Sequence, residues 1–164
     1  PASGAEHHLV HLWDMEVVNG HLDALHGEKV SAGTMLVLLE YKKIADAIRK
    51  GNCKVHTCTE EDRELLQSTF GKKGILGAIE KENTPELLDD VSTKELSDTL
   101  PGILKIIDAL PAVTDMQEMM NTAGCVSRVR DIGLPGEVIE ESLRLAPYTR
   151  RRMSLLRLRK LLTY

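Results

Sequence analysis

A chain of 164 residues with 42% hydrophobic and 28% charged side chains has the size and composition of one globular domain, which excludes a wholly disordered or fibrous protein. Its 21 basic and 25 acidic residues leave a formal charge of −4, so there is no global electrostatic reason to bind nucleic acid. Aromatics make up only 3%, leaving Leu, Ile, Val, Met and Ala to fill the core, a palette that favours packed helices over a β-sandwich.

Apolar positions recur at three- and four-residue spacing through Leu9, Leu12, Trp13 and Val17, and again from Val30 through Leu36, Leu39 and Ile44. This spacing predicts two helices, separated by the polar connection 19–25 and closed at Gly51-Asn52. The row from Cys53 to Cys58 has some strand character but is too short, and reads as loop. Thr59 before Glu60, Glu61 and Asp62 is an N-cap with acids in the first turn, opening a helix to Phe70; another follows over 73–82. Thr84-Pro85-Glu86 reads as a further helix start with proline in the first turn. Helices are also predicted over 93–110, 111–121, 136–145 and 148–162. Without repeats, low-complexity blocks or linkers, residues 1–164 read as one all-α domain, a helical bundle or array.

Three cysteines, Cys53, Cys58 and Cys125, form no disulfide framework, and a reducing cytoplasm is the expected compartment. The longest apolar run, Met35 to Leu39, is far short of the roughly 20 residues that a membrane span needs. No secretory signal is visible, and Pro1 stands where an initiator methionine is expected, as in a processed or truncated piece.

Of the 6 histidines, His7, His8, His11, His21 and His26 crowd the beginning of the chain. On a helix His7 and His11, or His8 and His11, share a face, and either pair has the spacing to converge on one ion. Imidazole suits zinc, nickel or ferrous iron, and two histidines with a carboxylate leave a position open to a substrate oxygen. His26 opens the second helix in LHGEKV, with Gly27 beside it and Glu28 in the first turn. Taken singly, each histidine has an ordinary reading as a solvated or core hydrogen-bonding residue. Cys53, His56 and Cys58 lack a fourth zinc ligand and read as free thiols. The Gly71 to Gly77 row lacks the strand and spacing of a dinucleotide turn and reads as a helix start. The basic run Arg150, Arg151, Arg152, Arg157, Arg159 and Lys160 reads as the solvated face of an amphipathic helix.

The row PASGAEHHLVHLWDM (Pro1 to Met15) followed by LHGEKV (Leu25 to Val30) resembles the metal-binding half of glycerol-1-phosphate dehydrogenases. These group with glycerol dehydrogenase, iron-containing alcohol dehydrogenases and dehydroquinate synthase. A second resemblance to the same enzymes lies in NTAGC (Asn121 to Cys125), DIGL (Asp131 to Leu134) and APYTRRRMSL (Ala146 to Leu155), so the motifs bracket almost the whole chain.

The resemblance implies a two-domain, cytoplasmic oxidoreductase of phospholipid biosynthesis, with this chain as the helical C-terminal domain and a nucleotide-binding domain of the same protein as its partner. It implies Zn2+, or Ni2+ or Fe2+, held by His7 and His26 with an aspartate that no residue here matches; whether His7 or His8 is the ligand stays open by one residue. His11 then takes a substrate-side or proton-relay role, and Lys29 at the start of the second helix is a candidate for the substrate phosphate. NAD or NADP would be bound mainly by the other domain, and the substrate pair would be sn-glycerol-1-phosphate and dihydroxyacetone phosphate. A homo-oligomer is expected, with neither nucleic acid nor membrane as partner. The alternatives are a non-catalytic helical metal-binding or assembly module, and a dehydroquinate synthase-like lyase.

Overall fold

The computed structural model describes residues 4–57 and 62–164, with the side chain of Asp62 left aside. Eight α-helices are described: α1 (Ala5–Asp14), α2 (His26–Arg49), α3 (Asp62–Phe70), α4 (Leu76–Glu82), α5 (Thr93–Asp108), α6 (Val113–Thr122), α7 (Ile139–Leu145) and α8 (Leu155–Leu158). The all-α expectation holds, with one small exception. Strand β1 (Lys54–Val55) pairs antiparallel with β2 (Leu162–Thr163), Lys54 opposite Thr163 and Val55 opposite Leu162. Among the described helices none is long and apolar enough to cross a membrane.

The axis of the molecule is α2, whose 24 residues make a rod about 36 Å long. Its first half joins α1, Phe70, Ile79, Leu134, Leu143, Leu145 and Tyr148 in one apolar cluster; its second half, through Ile44 and Ala45, joins Leu88, Leu96, Leu100, Ile107, Leu161 and Leu162 in another. The rod ends where Gly51 takes φ +71°, a left-handed conformation that glycine adopts without a Cβ penalty, and Asn52 N–H donates to Ala47 O at 2.8 Å. Helix α1 lies close on α2: a Cβ on Gly33 would stand 3.3 Å from the backbone oxygen of Glu6, so the glycine permits the approach. Trp13, 1% exposed, ties α1 to α7 by donating from Nε1 to Ser142 Oγ at 3.1 Å.

Several expectations need correction. Helix α1 stops at Asp14, before Val17, and Glu16 at φ 52° turns the chain away. Thr84-Pro85-Glu86 does not open a helix: the Thr84–Pro85 bond is cis and no helix begins before Thr93. There Leu88 is drawn into the second apolar cluster and Glu86 is engaged by Arg157. The Cys53 to Cys58 row contains β1, whose partner lies at the far end of the chain. The 148–162 segment is not one helix. It is broken into a 3-10 turn (Ala146–Thr149), an extended stretch, the single turn of α8, another 3-10 turn and β2. Arg157 lies at 0% exposure instead of on a solvated face. Cys58 and the Thr59 cap with Glu60 and Glu61 lie outside the described residues, as do Pro1, Ala2 and Ser3.

Candidate metal centre

The contact between the first turns of α1 and α2 brings His7 and His26 together, with ring centroids 5.7 Å apart and planes tilted by 57°. Zinc–nitrogen bonds of about 2.0–2.1 Å would place two imidazole centroids around a tetrahedral ion roughly 5 Å apart, so the observed separation is near that of two ligands of one ion. His26 is held at the first residue of α2, where Glu28 Oε2 accepts the Leu25 backbone N–H at 2.7 Å and fixes the entry into the helix. His7 Nδ1 lies 2.9 Å from Glu6 Oε1, which also accepts Gly4 N–H at 2.8 Å. Burial opposes ionisation of Glu6, but its bonds with His7 and with the Gly4 and Glu6 backbone outweigh this and hold the carboxyl below its ordinary pKa. A carboxylate there makes Nδ1 the donor and leaves the Nε2 lone pair for a cation, the usual way a protein orients a ligating histidine. Glu6 was not singled out from the sequence, although an acid directly beside a candidate ligand is the signal that would have found it.

Among the described residues no set of three His, Cys, Asp or Glu side chains converges on one point. The two imidazoles thus fit a divalent ion as a partial donor set whose carboxylate would come from elsewhere, as the sequence motifs imply.

His8 points the other way. It is 2% exposed, and neither ring nitrogen has a hydrogen-bond partner among the described residues. Burial, and then the charges of Arg157 and Arg152, push its pKa down from 6.5 to about 4. The folded state therefore excludes the proton that an unfolded chain takes up. Stability is fully present above pH 6.5 and is lost progressively as pH falls toward 4. Urea midpoints of His8→Leu should show a smaller loss between pH 7 and pH 4.5 than those of the parent, and equal losses would refute this role.

His11 is half-buried, one turn beyond His7. Burial first, then the charge of Arg150 and the neighbouring His7, keeps its pKa below 6.5, so the ring is neutral at neutral pH. Lys29 meets Asp14 at 2.7 Å, joining the start of α2 to the end of α1. His21 is exposed and pairs with Glu16 at 2.8 Å. Cys53 is half-buried and its thiol pKa is raised by that burial.

The chain is 31% identical over 157 residues to a glycerol-1-phosphate dehydrogenase (NAD(P)+) of Halalkalibacterium halodurans, covering 95% of this chain and 31% of that protein. It is 25% identical over 146 residues to the enzyme so named in Geobacillus stearothermophilus, and 24% identical over the same length to that of Geobacillus thermodenitrificans, each covering 88% of this chain and 29% of the relative. The chain thus spans about a third of the length of the curated relatives it matches. No family model matches it, and no solved structure gives a significant match. A match over nearly the whole chain, to relatives that all carry one name, identifies it as a member of the glycerol-1-phosphate dehydrogenase family that corresponds to their helical C-terminal part.

Proposed function

We propose that residues 1–164 form the helical, metal-holding domain of an NAD(P)-linked dehydrogenase that interconverts sn-glycerol-1-phosphate and dihydroxyacetone phosphate. The observation that carries this reading is the approach of His7 to His26 at the meeting of α1 and α2, with Glu6 orienting the His7 ring. In this reading His7 Nε2 and His26 hold a divalent cation, zinc or else nickel or ferrous iron, and an aspartate from the rest of the parent protein completes the set. Such an ion, when bound, polarises the oxygen of a secondary alcohol or ketone and lowers the alcohol's pKa. The nicotinamide cofactor belongs mainly to a nucleotide-binding domain of the same protein.

The chain's own residues supply position and proton handling. Glu6 keeps Nδ1 of His7 protonated, and α2 sets the ring of His26 at its first turn. His11, neutral at neutral pH, accepts the substrate hydroxyl proton during oxidation and passes it to solvent; in reduction it returns the proton. Lys29, which the sequence suggested for the phosphate, is already neutralised by Asp14, so in this reading it serves the contact between the two helices that carry the ligands.

The reading is tested on the full-length gene product by following NAD(P)H oxidation with dihydroxyacetone phosphate, before and after metal removal by a chelator. Turnover that vanishes on chelation and returns with zinc, nickel or ferrous ion supports it. Undiminished turnover in the metal-free protein overturns the metal assignment. Absent turnover with retained metal binding supports a non-catalytic module, and phosphate elimination from a sugar-acid phosphate supports a lyase.

A further inference from the structure

Phosphate recognition requires a cation, and the one anticipated from the sequence is engaged by Asp14. The remaining arginines are mostly committed too. Arg49 bonds Asp46 and Asp108, Arg128 and Arg130 meet Asp131, and Arg159 meets Glu40 and Glu140. Arg151 turns its Nε to Pro85 O at 2.9 Å, and Arg157 is buried on Glu86. Arg150 differs: it is exposed, and among the described residues its guanidinium has neither a carboxylate nor a carbonyl partner.

Its place is fixed by its backbone. Thr149 Oγ1 donates to His8 O at 3.3 Å, which docks the end of the 3-10 turn on α1 beside the histidines. The carbonyl of Arg150 accepts from Arg157 Nη2 at 3.2 Å and from Arg152 N–H at 2.9 Å, which ties its backbone to the buried arginine. The result is an exposed cation directly after the turn that docks on α1, and its charge adds to burial in keeping the pKa of His11 below 6.5.

Resting on the dehydrogenase reading above, we infer that Arg150 is the substrate-recognition cation of this site, binding the phosphate of a phosphorylated three-carbon polyol while His11 faces its hydroxyl end. The planar guanidinium offers paired N–H donors that match two phosphate oxygens, which an ammonium does not.

The test compares the metal-loaded full-length protein with Arg150→Gln, Arg150→Lys and Arg151→Gln. Two quantities are read: the ratio of kcat/KM for dihydroxyacetone phosphate over unphosphorylated dihydroxyacetone, and the affinity for inorganic phosphate by calorimetry. Arg150→Gln is expected to lower the ratio by about tenfold or more and to weaken phosphate binding comparably. Arg150→Lys recovers part of both, and Arg151→Gln leaves both within about twofold. An unchanged ratio in Arg150→Gln, with normal turnover of the phosphorylated substrate by the parent, overturns the inference and leaves the dehydrogenase reading intact. If the parent turns over neither substrate but loses phosphate affinity in Arg150→Gln, the dehydrogenase reading falls and the anion site stands. Phosphate binding unaffected by Arg150→Gln in a protein without turnover overturns both.

Discussion

His26→Ala in the full-length protein should weaken zinc binding by about a hundredfold or more and abolish metal-dependent turnover, and His7→Ala should do the same. In the proposed centre each imidazole is one of two donors, and among the described residues no group of three His, Cys, Asp or Glu side chains is placed to hold an ion without it. The fold should survive both changes, because His26 is exposed at a helix start and His7 is only half-buried, its bond being with the adjacent Glu6. Competition with a chromophoric chelator gives the affinities, and circular dichroism gives the fold. Glu6→Gln provides a graded comparison: it keeps an acceptor for Nδ1 but removes the charge, so the expected loss is smaller than that of either ligand variant. Zinc affinity unchanged in His26→Ala would contradict the assignment of this residue.

Arg157→Met is expected to cost about 3–5 kcal/mol of folding stability, the largest effect of any single change considered. The side chain has no exposure and serves as a hub. Nη1 meets Glu86 Oε1 at 2.7 Å, Nη2 donates to Asn83 Oδ1 at 2.6 Å and to Pro147 O at 2.5 Å, and Nε donates to Arg152 O at 3.2 Å. Removing the guanidinium leaves the buried Asn83 Oδ1 and Pro147 O without their donor and strips the half-buried Glu86 carboxylate of its counter-charge, a penalty that the apolar replacement does not recover. Arg157→Lys should rescue little, since one ammonium cannot span acceptors arrayed around a planar fork. Urea denaturation measures both variants, and a loss below about 1 kcal/mol for Arg157→Met would show that the hub is not holding the 146–157 segment in place. The same loosening should reach Arg150, whose carbonyl is one of the acceptors.

The legible parts of the molecule were those whose determinants are local. Helix α2 could be read from the spacing of Leu36, Leu39 and Ile44 and from the Gly51 stop, because a helix is specified by neighbours three and four residues away. The pairing of His7 with His26 came instead from resemblance; helical spacing alone left His7, His8 and His11 as candidates, and the fold turns His8 into the core while His7 stands beside His26.

What could not be read depends on partners distant in the chain. Arg157 looks like one more basic residue in a basic run, and only Asn83 and Glu86, brought up from far earlier in the sequence, make it an interior residue. Lys54 and Val55 become strand only through Leu162 and Thr163, and the same pairing ends the helix that the leucines near the end of the chain seemed to extend. The ion pair of Lys29 was hidden for a similar reason: Asp14, on the preceding helix, comes within reach of it only when the two helices pack.

The most direct measurement of the central claim is X-ray absorption at the metal edge of the zinc-loaded full-length protein and its His26→Ala variant. Two imidazoles in the parent's first coordination shell and one in the variant's are the predicted result. The same number of imidazoles in both would contradict it.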